Sequence, residues 1–147
     1  IPESVTSISD DVFNNCTNLN SIKLPTNLKT IGRKAFASCS SLTTIKIPES
    51  VKDIGKWTFW NCSTLKSVIL PNGISEIKFG TFKDCPNLNS VVLPNTLTTI
   101  ENAVFSGCTS LKTIYYTGTE KQWNTIQKAN YNKHTGAIIF SISSSRP

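Results

Sequence analysis

Residues 48–70 read Pro48-Glu49-Ser50-Val51-Lys52-Asp53-Ile54-Gly55-Lys56-Trp57-Thr58-Phe59-Trp60-Asn61-Cys62-Ser63-Thr64-Leu65-Lys66-Ser67-Val68-Ile69-Leu70, and at Pro71 the pattern starts again. The same proline recurs at Pro2, Pro25, Pro48, Pro71 and Pro94, 23 residues apart each time. Five phenylalanines keep that clock (Phe13, Phe36, Phe59, Phe82, Phe105), as do all five cysteines (Cys16, Cys39, Cys62, Cys85, Cys108). Leu19, Leu42, Leu65, Leu88 and Leu111 follow it too, and so do Ile8, Ile31, Ile54, Ile77 and Ile100. No insertion interrupts the five units. A fixed period of this length is the mark of a solenoid, in which each unit contacts only its neighbours.

Each unit contains its own fold instructions. Its closing part, such as Leu65 to Leu70, alternates in and out and ends at a proline that cannot donate to a sheet ladder. This predicts one short strand per coil, stacked in parallel. The middle part, such as Ile31 to Phe36, predicts a turn followed by a short helical or 3₁₀ segment. About seven apolar side chains per unit cannot offset the entropy of ordering 23 residues, so the coils must be stabilised by stacking.

Composition narrows the function. Only 16% of residues are charged, and the net charge is +6. The polar surface is built instead from 18 Ser, 18 Thr and 14 Asn, a balance more common on extracellular modules than on cytosolic enzymes. No run of 18 apolar residues is present, which excludes a membrane-spanning helix from this segment. The chain opens at Ile1-Pro2, inside a repeat, so a fragment of a longer protein is expected.

Catalytic and metal chemistry find no foothold. The cysteines lack close ligand spacing such as Cys-x-x-Cys, and equivalent positions of stacked coils point the same way rather than at each other. A ladder of buried free thiols, each a weak donor to a nearby carbonyl, is expected. His134 is the single histidine and stands where the repeat wants a leucine, with no triad partner in reach. Asp10, Asp11, Glu49 and Asp53 read as solvated carboxylates, and no glycine-rich phosphate loop occurs. No cofactor is expected. Asn15-Cys16-Thr17 and Asn61-Cys62-Ser63 match glycosylation acceptors only because the repeat generates them.

The Leu-x-x-Ile-x-Ile-Pro run at 42–48, with Ala35-Phe36 and Cys39 ahead of it, resembles a leucine-rich repeat of the BspA-like type. The segment Tyr115-Tyr116-Thr117-Gly118-Thr119-Glu120-Lys121-Gln122-Trp123 is similar to the terminal segment common in that family. The resemblance implies an α/β solenoid, a right-handed leucine-rich repeat superhelix with short parallel strands. It further implies a secreted or cell-surface protein of a bacterium or protist, linked to adhesion and host-protein binding, with no shared catalytic residues.

The expected organisation is five repeats over residues 1–116 and a capping coil over 117–142, followed by a tail or linker at 143–147. Thr119 with Gln122 fits a capping box, so a helix is expected over about 120–129, with Trp123 and Ile126 plugging the core. A last strand is expected over about 137–141. If the 23-residue clock keeps running, Trp123 stands at the place of Ile100 and Ile139 at that of Tyr116.

Two groups of residues are candidate partner-binding surfaces. One is an outward column of the sheet, Lys23, Lys46, Ile69, Val92 and Tyr115, which passes from basic to apolar. The other is Trp57, Trp60 and Phe79, aromatics that stand where other repeats carry Lys34, Gly80 and Ala103, or Ala37, Lys83 and Ser106, or Arg33, Lys56 and Asn102. The leading expectation is a non-enzymatic module that binds a host or extracellular protein, as a monomer or weak oligomer. Its rivals are a glycan- or glycosaminoglycan-binding module using the basic first half, and a passive spacer presenting another domain. Nucleic acid is not an expected partner, because the aromatics in register belong to the core.

Overall fold

The computed structural model describes residues 1–130 and the backbone of a last strand at 139–142. His134, the first part of the expected strand over 137–141 and the tail at 143–147 lie outside the described residues. In chain order the elements are β1 (Ser7–Ile8), β2 (Thr30–Ile31), β3 (Asp53–Ile54), β4 (Ser67–Ile69), β5 (Glu76–Ile77), β6 (Ser90–Leu93), β7 (Thr99–Ile100) and β8 (Thr113–Tyr116). They are followed by α1 (Glu120–Thr125), β9 (Gln127–Lys128) and β10 (Ile139–Ile142).

All pairings are parallel, and the five coils stack in register. Ser67 pairs with Ser90 and Ser90 with Thr113; Ser7 pairs with Thr30 and Thr30 with Asp53; Glu76 pairs with Thr99. Each step is 23 residues, so the period of the sequence is the pitch of the solenoid. One side of the stack is the sheet β10-β8-β6-β4, and a second side carries β1-β2-β3 and β5-β7-β9. On this second side the ladder is interrupted between β3 and β5. Gly55 donates to Ile31 O and Glu101 to Ile77 O, whereas Lys78 and Asp53 meet there through side chains, Nζ to Oδ1 at 2.5 Å.

The third side corrects the expected helical segment and with it the α/β class: the coils form a β-solenoid with little helix. Residues 10–15 and their counterparts are turns in which alternate N–H groups leave the coil. Asp11, Phe13 and Asn15 donate to Arg33 O, Ala35 O and Ala37 O of the next coil, and Lys34, Phe36 and Ser38 donate likewise to Lys56 O, Thr58 O and Trp60 O. The intervening Asn14 and Cys16 close tight turns onto Asp11 O and Phe13 O. A helix would need those outward N–H groups for itself. Two residues per coil also take positive φ: Asp11, Lys34, Trp57, Gly80 and Ala103 in one column, Asn15, Ser38, Asn61, Asp84 and Gly107 in the other. That left-handed backbone stops any helix from propagating.

The core lies inside these three sides. The rings of Phe13, Phe36, Phe59, Phe82 and Phe105 stack at centroid spacings of 5.2, 5.7, 5.6 and 5.8 Å, with planes within 8° of parallel. Beside them stands the thiol ladder. Cys39, Cys62, Cys85 and Cys108 are buried, and their Sγ atoms donate to the carbonyls of Phe13, Phe36, Phe59 and Phe82 at 3.0–3.2 Å. All five cysteines are free. Buried Thr58 has its Oγ1 2.7 Å from Gly55 O and 3.0 Å from Gly32 O, so its hydroxyl is satisfied.

The last coil departs from the clock. Helix α1 spans six residues rather than about ten, because Ile126 is extended (φ −64°, ψ 131°) and Gln127 and Lys128 pair with β7. The capping box is present: Gln122 N donates to Thr119 Oγ1 at 3.2 Å and Thr119 N to Gln122 Oε1 at 2.8 Å. Ile126 is buried in the core, and half-buried Trp123 packs beside Tyr116 with ring centroids 5.3 Å apart. Thr99 pairs with Gln127, a step of 28, and Thr113 pairs with Ile139, a step of 26. Lys128, not Trp123, is therefore the partner of Ile100: the helix adds five residues before the coil regains the sheet.

Candidate functional site

On the turn side, the backbone of coil three throws Trp57 across coil four. At φ +56° its indole lies over Gly80, where a Cβ would stand 2.5 Å from Trp57 Cδ1. The Trp57 ring meets Phe79 edge-on, with centroids 5.3 Å apart and planes at 75°. Trp60 Nε1 donates to Asp84 Oδ2 at 3.1 Å. The Lys34 ammonium sits 5.8 Å from the centroid of Trp57 and 5.7 Å from that of Trp60, within cation–π range of both. Trp57, Trp60 and Phe79 are each half-buried. The fold thus assembles these three aromatics, contributed by two coils, into one surface cluster.

Lys34 and Asp84 are the parts that sequence reasoning missed. A signal existed: Lys34 stands 23 residues before Trp57, one coil earlier in the same column, and Asp84 stands one coil after Asn61, the neighbour of Trp60. Arithmetic on columns finds the neighbours of an anomalous residue as readily as it finds the core.

The sheet column is less uniform than its sequence suggested. Ile69, Val92 and Tyr115 stand side by side in register across β4, β6 and β8. Ile69 is 40% exposed and Tyr115 half-buried, but Val92 is only 5% exposed. Val92 is therefore too buried to serve as a contact residue. Lys23 and Lys46 are exposed but lie outside regular strands. They flank a groove of about 520 Å³ lined also by Ile22, Leu24, Pro48 and Glu49. The sheet column and the aromatic cluster arise from different segments of the coil, strand and turn, so they are separate surfaces.

Electrostatics near these surfaces follow from local contacts. Glu3 accepts hydrogen bonds from Thr26 N at 2.8 Å and Thr26 Oγ1 at 3.0 Å, which hold its carboxyl below the usual range, with Lys23 adding to the effect. Burial pushes the Cys39 thiol up to about 11 and the Cys62 thiol up to about 12. Cys85 is raised too, first by its hydrogen bond with Cys108 and then by burial. Those thiols are inert donors rather than nucleophiles. Among the described residues no cluster of three His, Cys, Asp or Glu side chains could hold a metal ion, and no helix is long and apolar enough to cross a membrane.

A model of the BspA type leucine rich repeat region matches residues 1–138 in six copies. The chain belongs to the BspA-type leucine-rich repeat family. Among solved structures, a leucine-rich cell surface protein from Faecalibacterium prausnitzii is 35% identical, with a TM-score of 0.83 over 86% of this chain and 34% of that one. The T. pallidum leucine-rich repeat protein is 25% identical (TM-score 0.72), covering 88% of this chain and 64% of that one. The pneumococcal vaccine antigen PcpA shares the fold at 22% identity, with a TM-score of 0.77 over 97% of this chain and 35% of that one. No curated protein matches significantly. This BspA-type chain spans about a third of the Faecalibacterium protein and under two thirds of the treponemal one.

Proposed function

We propose that this BspA-type segment is a non-enzymatic binding module of a bacterial cell-surface protein, and that it holds another protein through the cluster of Trp57, Trp60 and Phe79. One observation carries the reading: three aromatics that the repeat does not require converge half-exposed on one face, Trp57 and Trp60 beside the Lys34 ammonium and Phe79 against Trp57. Large amphipathic rings that lose little conformational freedom on contact are the usual anchors of protein interfaces. The surface setting follows the description of the Faecalibacterium relative.

The repeat itself supplies mild substitutions for the test. Trp57→Lys, Trp60→Ala and Phe79→Asn place at each site the residue found in the same column at Lys34, Ala37 and Asn102. The wild-type chain and this triple variant are immobilised and exposed to plasma and extracellular-matrix proteins, with folding checked by circular dichroism. Retention of a protein by the wild type, lost in the folded variant, supports the reading. Equal retention by both discards the cluster as the site. Retention of sulfated glycans instead, eluted by about 0.15 M salt in both chains, would mark mere ion exchange by the basic half.

A further inference from the structure

On the sheet side, coils three to five are bonded strand to strand through β4, β6 and β8, and Thr44 bridges to Ser67. In the same 23-residue register, Ser21 would stand beside Thr44 and Lys23 beside Lys46. There the ladder stops: among the described residues no backbone hydrogen bond joins 20–24 to 43–47. Coils one and two remain joined on their other sides, by β1 with β2 and by the three turn bonds onto Arg33 O, Ala35 O and Ala37 O. The stack is therefore wedged open on the sheet side alone. The opening is the groove of about 520 Å³ with Ile22, Leu24 and Pro48 in its wall. A second opening of about 290 Å³ follows on the far side of 44–47 and reaches the exposed Ile69.

A wedge whose main-chain groups are not paired across it, with Ile22, Leu24 and Pro48 in its lining, suits an extended peptide, which offers main-chain N–H and C=O groups and alternate side chains. The charges at the rim choose among peptides. Lys23 has a side chain 86% exposed, and Lys46 makes no ion pair among the described residues. Glu49 also lines the groove, but its carboxylate accepts from Asn72 N of the following coil at 3.1 Å, as Glu3 accepts from Thr26 N. Glu3 lies 4.0 Å from Lys23, at the limit of an ion pair. We infer that the groove between the first two coils binds an extended acidic segment of a partner protein, main chain paired with residues 21–24 and 44–46 and carboxylates on Lys23 and Lys46. This site is distinct from the aromatic cluster and stands or falls without it.

Amide hydrogen exchange on the free chain tests the opening first. The amides of Ile22, Leu24, Thr44 and Lys46 are expected to exchange far faster than those of β6; equal protection would mean a closed ladder and overturn the proposal. The binding arm uses a labelled peptide of roughly seven alternating Val and Glu residues, long enough to span one strand. Its addition is expected to shift and protect those four amides. Lys23→Glu with Lys46→Glu should weaken binding by roughly tenfold or more, as removing paired charges does. N-methylation of alternate peptide residues should abolish it. No binding, binding unmoved by both changes, or equal binding of a Val–Lys peptide would each refute the inference. The Trp57, Trp60, Phe79 variant is expected to bind this peptide as the wild type does.

Discussion

Asp11, Lys34, Trp57, Gly80 and Ala103 share a backbone shape and little else, and the same holds for Asn15, Ser38, Asn61, Asp84 and Gly107. Eight of these ten are not glycine, so the fold sustains left-handed strain in every coil, and the inter-coil hydrogen bonds of the turn side offset it. Gly107→Ala should lower stability by about 1–3 kcal/mol, since a Cβ would meet Asp84 Oδ1 at 2.3 Å and Asp84 Cα at 3.0 Å at φ +78°. Ala103→Gly should be neutral or raise stability by up to about 1 kcal/mol, because the left-handed penalty and the entropy of glycine nearly cancel. Urea midpoints at constant slope read both; a stable Gly107→Ala would show that the turn relaxes freely. The thiols make a pH prediction. Cys39, Cys62 and Cys85 each hold their proton more tightly folded than unfolded, so their contribution is whole below the unfolded thiol range, about pH 8.5. It is lost as pH rises toward the folded values of about 11 for Cys39 and 12 for Cys62. The urea midpoint should therefore hold to about pH 8.5 and fall above pH 9, and a level midpoint to pH 11 would contradict the burial of the ladder.

At the scale of the element, legibility followed repetition. The closing strands β4, β6 and β8, the phenylalanine stack and the cysteine ladder could be read because five copies of Phe and Cys average out the accidents of any one coil. The second-side strands β1, β2, β3, β5 and β7 were not expected, and coils one and two lack the closing strand that was. The turn side could not. Phe36 with Ala35 and Ala37 looks helical locally, and only the neighbouring coil's carbonyls, invisible in one unit, draw its N–H groups outward. The capping coil exists once, so nothing averaged its errors: the capping box was legible from Thr119 and Gln122, but the stop at Ile126 depends on pairing with Thr99 and Ile100. The aromatic cluster was legible as an anomaly in Trp57, Trp60 and Phe79, whereas the burial of Val92 shows only in the assembled fold. Thr119→Ala removes the side-chain acceptor for Gln122 N and should cost about 1 kcal/mol. That loss should appear as earlier quenching of Trp123 fluorescence in a chain where Trp57 and Trp60 are replaced, while a cap unaffected by the change would show that β9 alone holds the helix.

A solenoid of this kind is held together one junction at a time, and its junctions are unequal. The turn side is bonded at each coil junction, the sheet side opens between coils one and two, and the second side breaks between β3 and β5. Phe59 sits mid-stack, fully buried between Phe36 and Phe82, while Phe13 is half-buried and stacks on Phe36 among the described residues. The same substitution should therefore have different reach. Phe59→Ala deletes a ring from both of its junctions, costs about 3–5 kcal/mol and lowers the whole unfolding transition. Phe13→Ala weakens the junction with coil two, which lacks its sheet ladder, so it should release coil one while coils two to five stay folded. Hydrogen exchange resolved by residue distinguishes the two: in the Phe13 variant, protection should vanish for β1 and the turn at 11–16 but persist at β6 and β8. Uniform loss of protection in both variants would mean that the five coils unfold as one block, and that coupling across the open groove is as strong as coupling elsewhere in the stack.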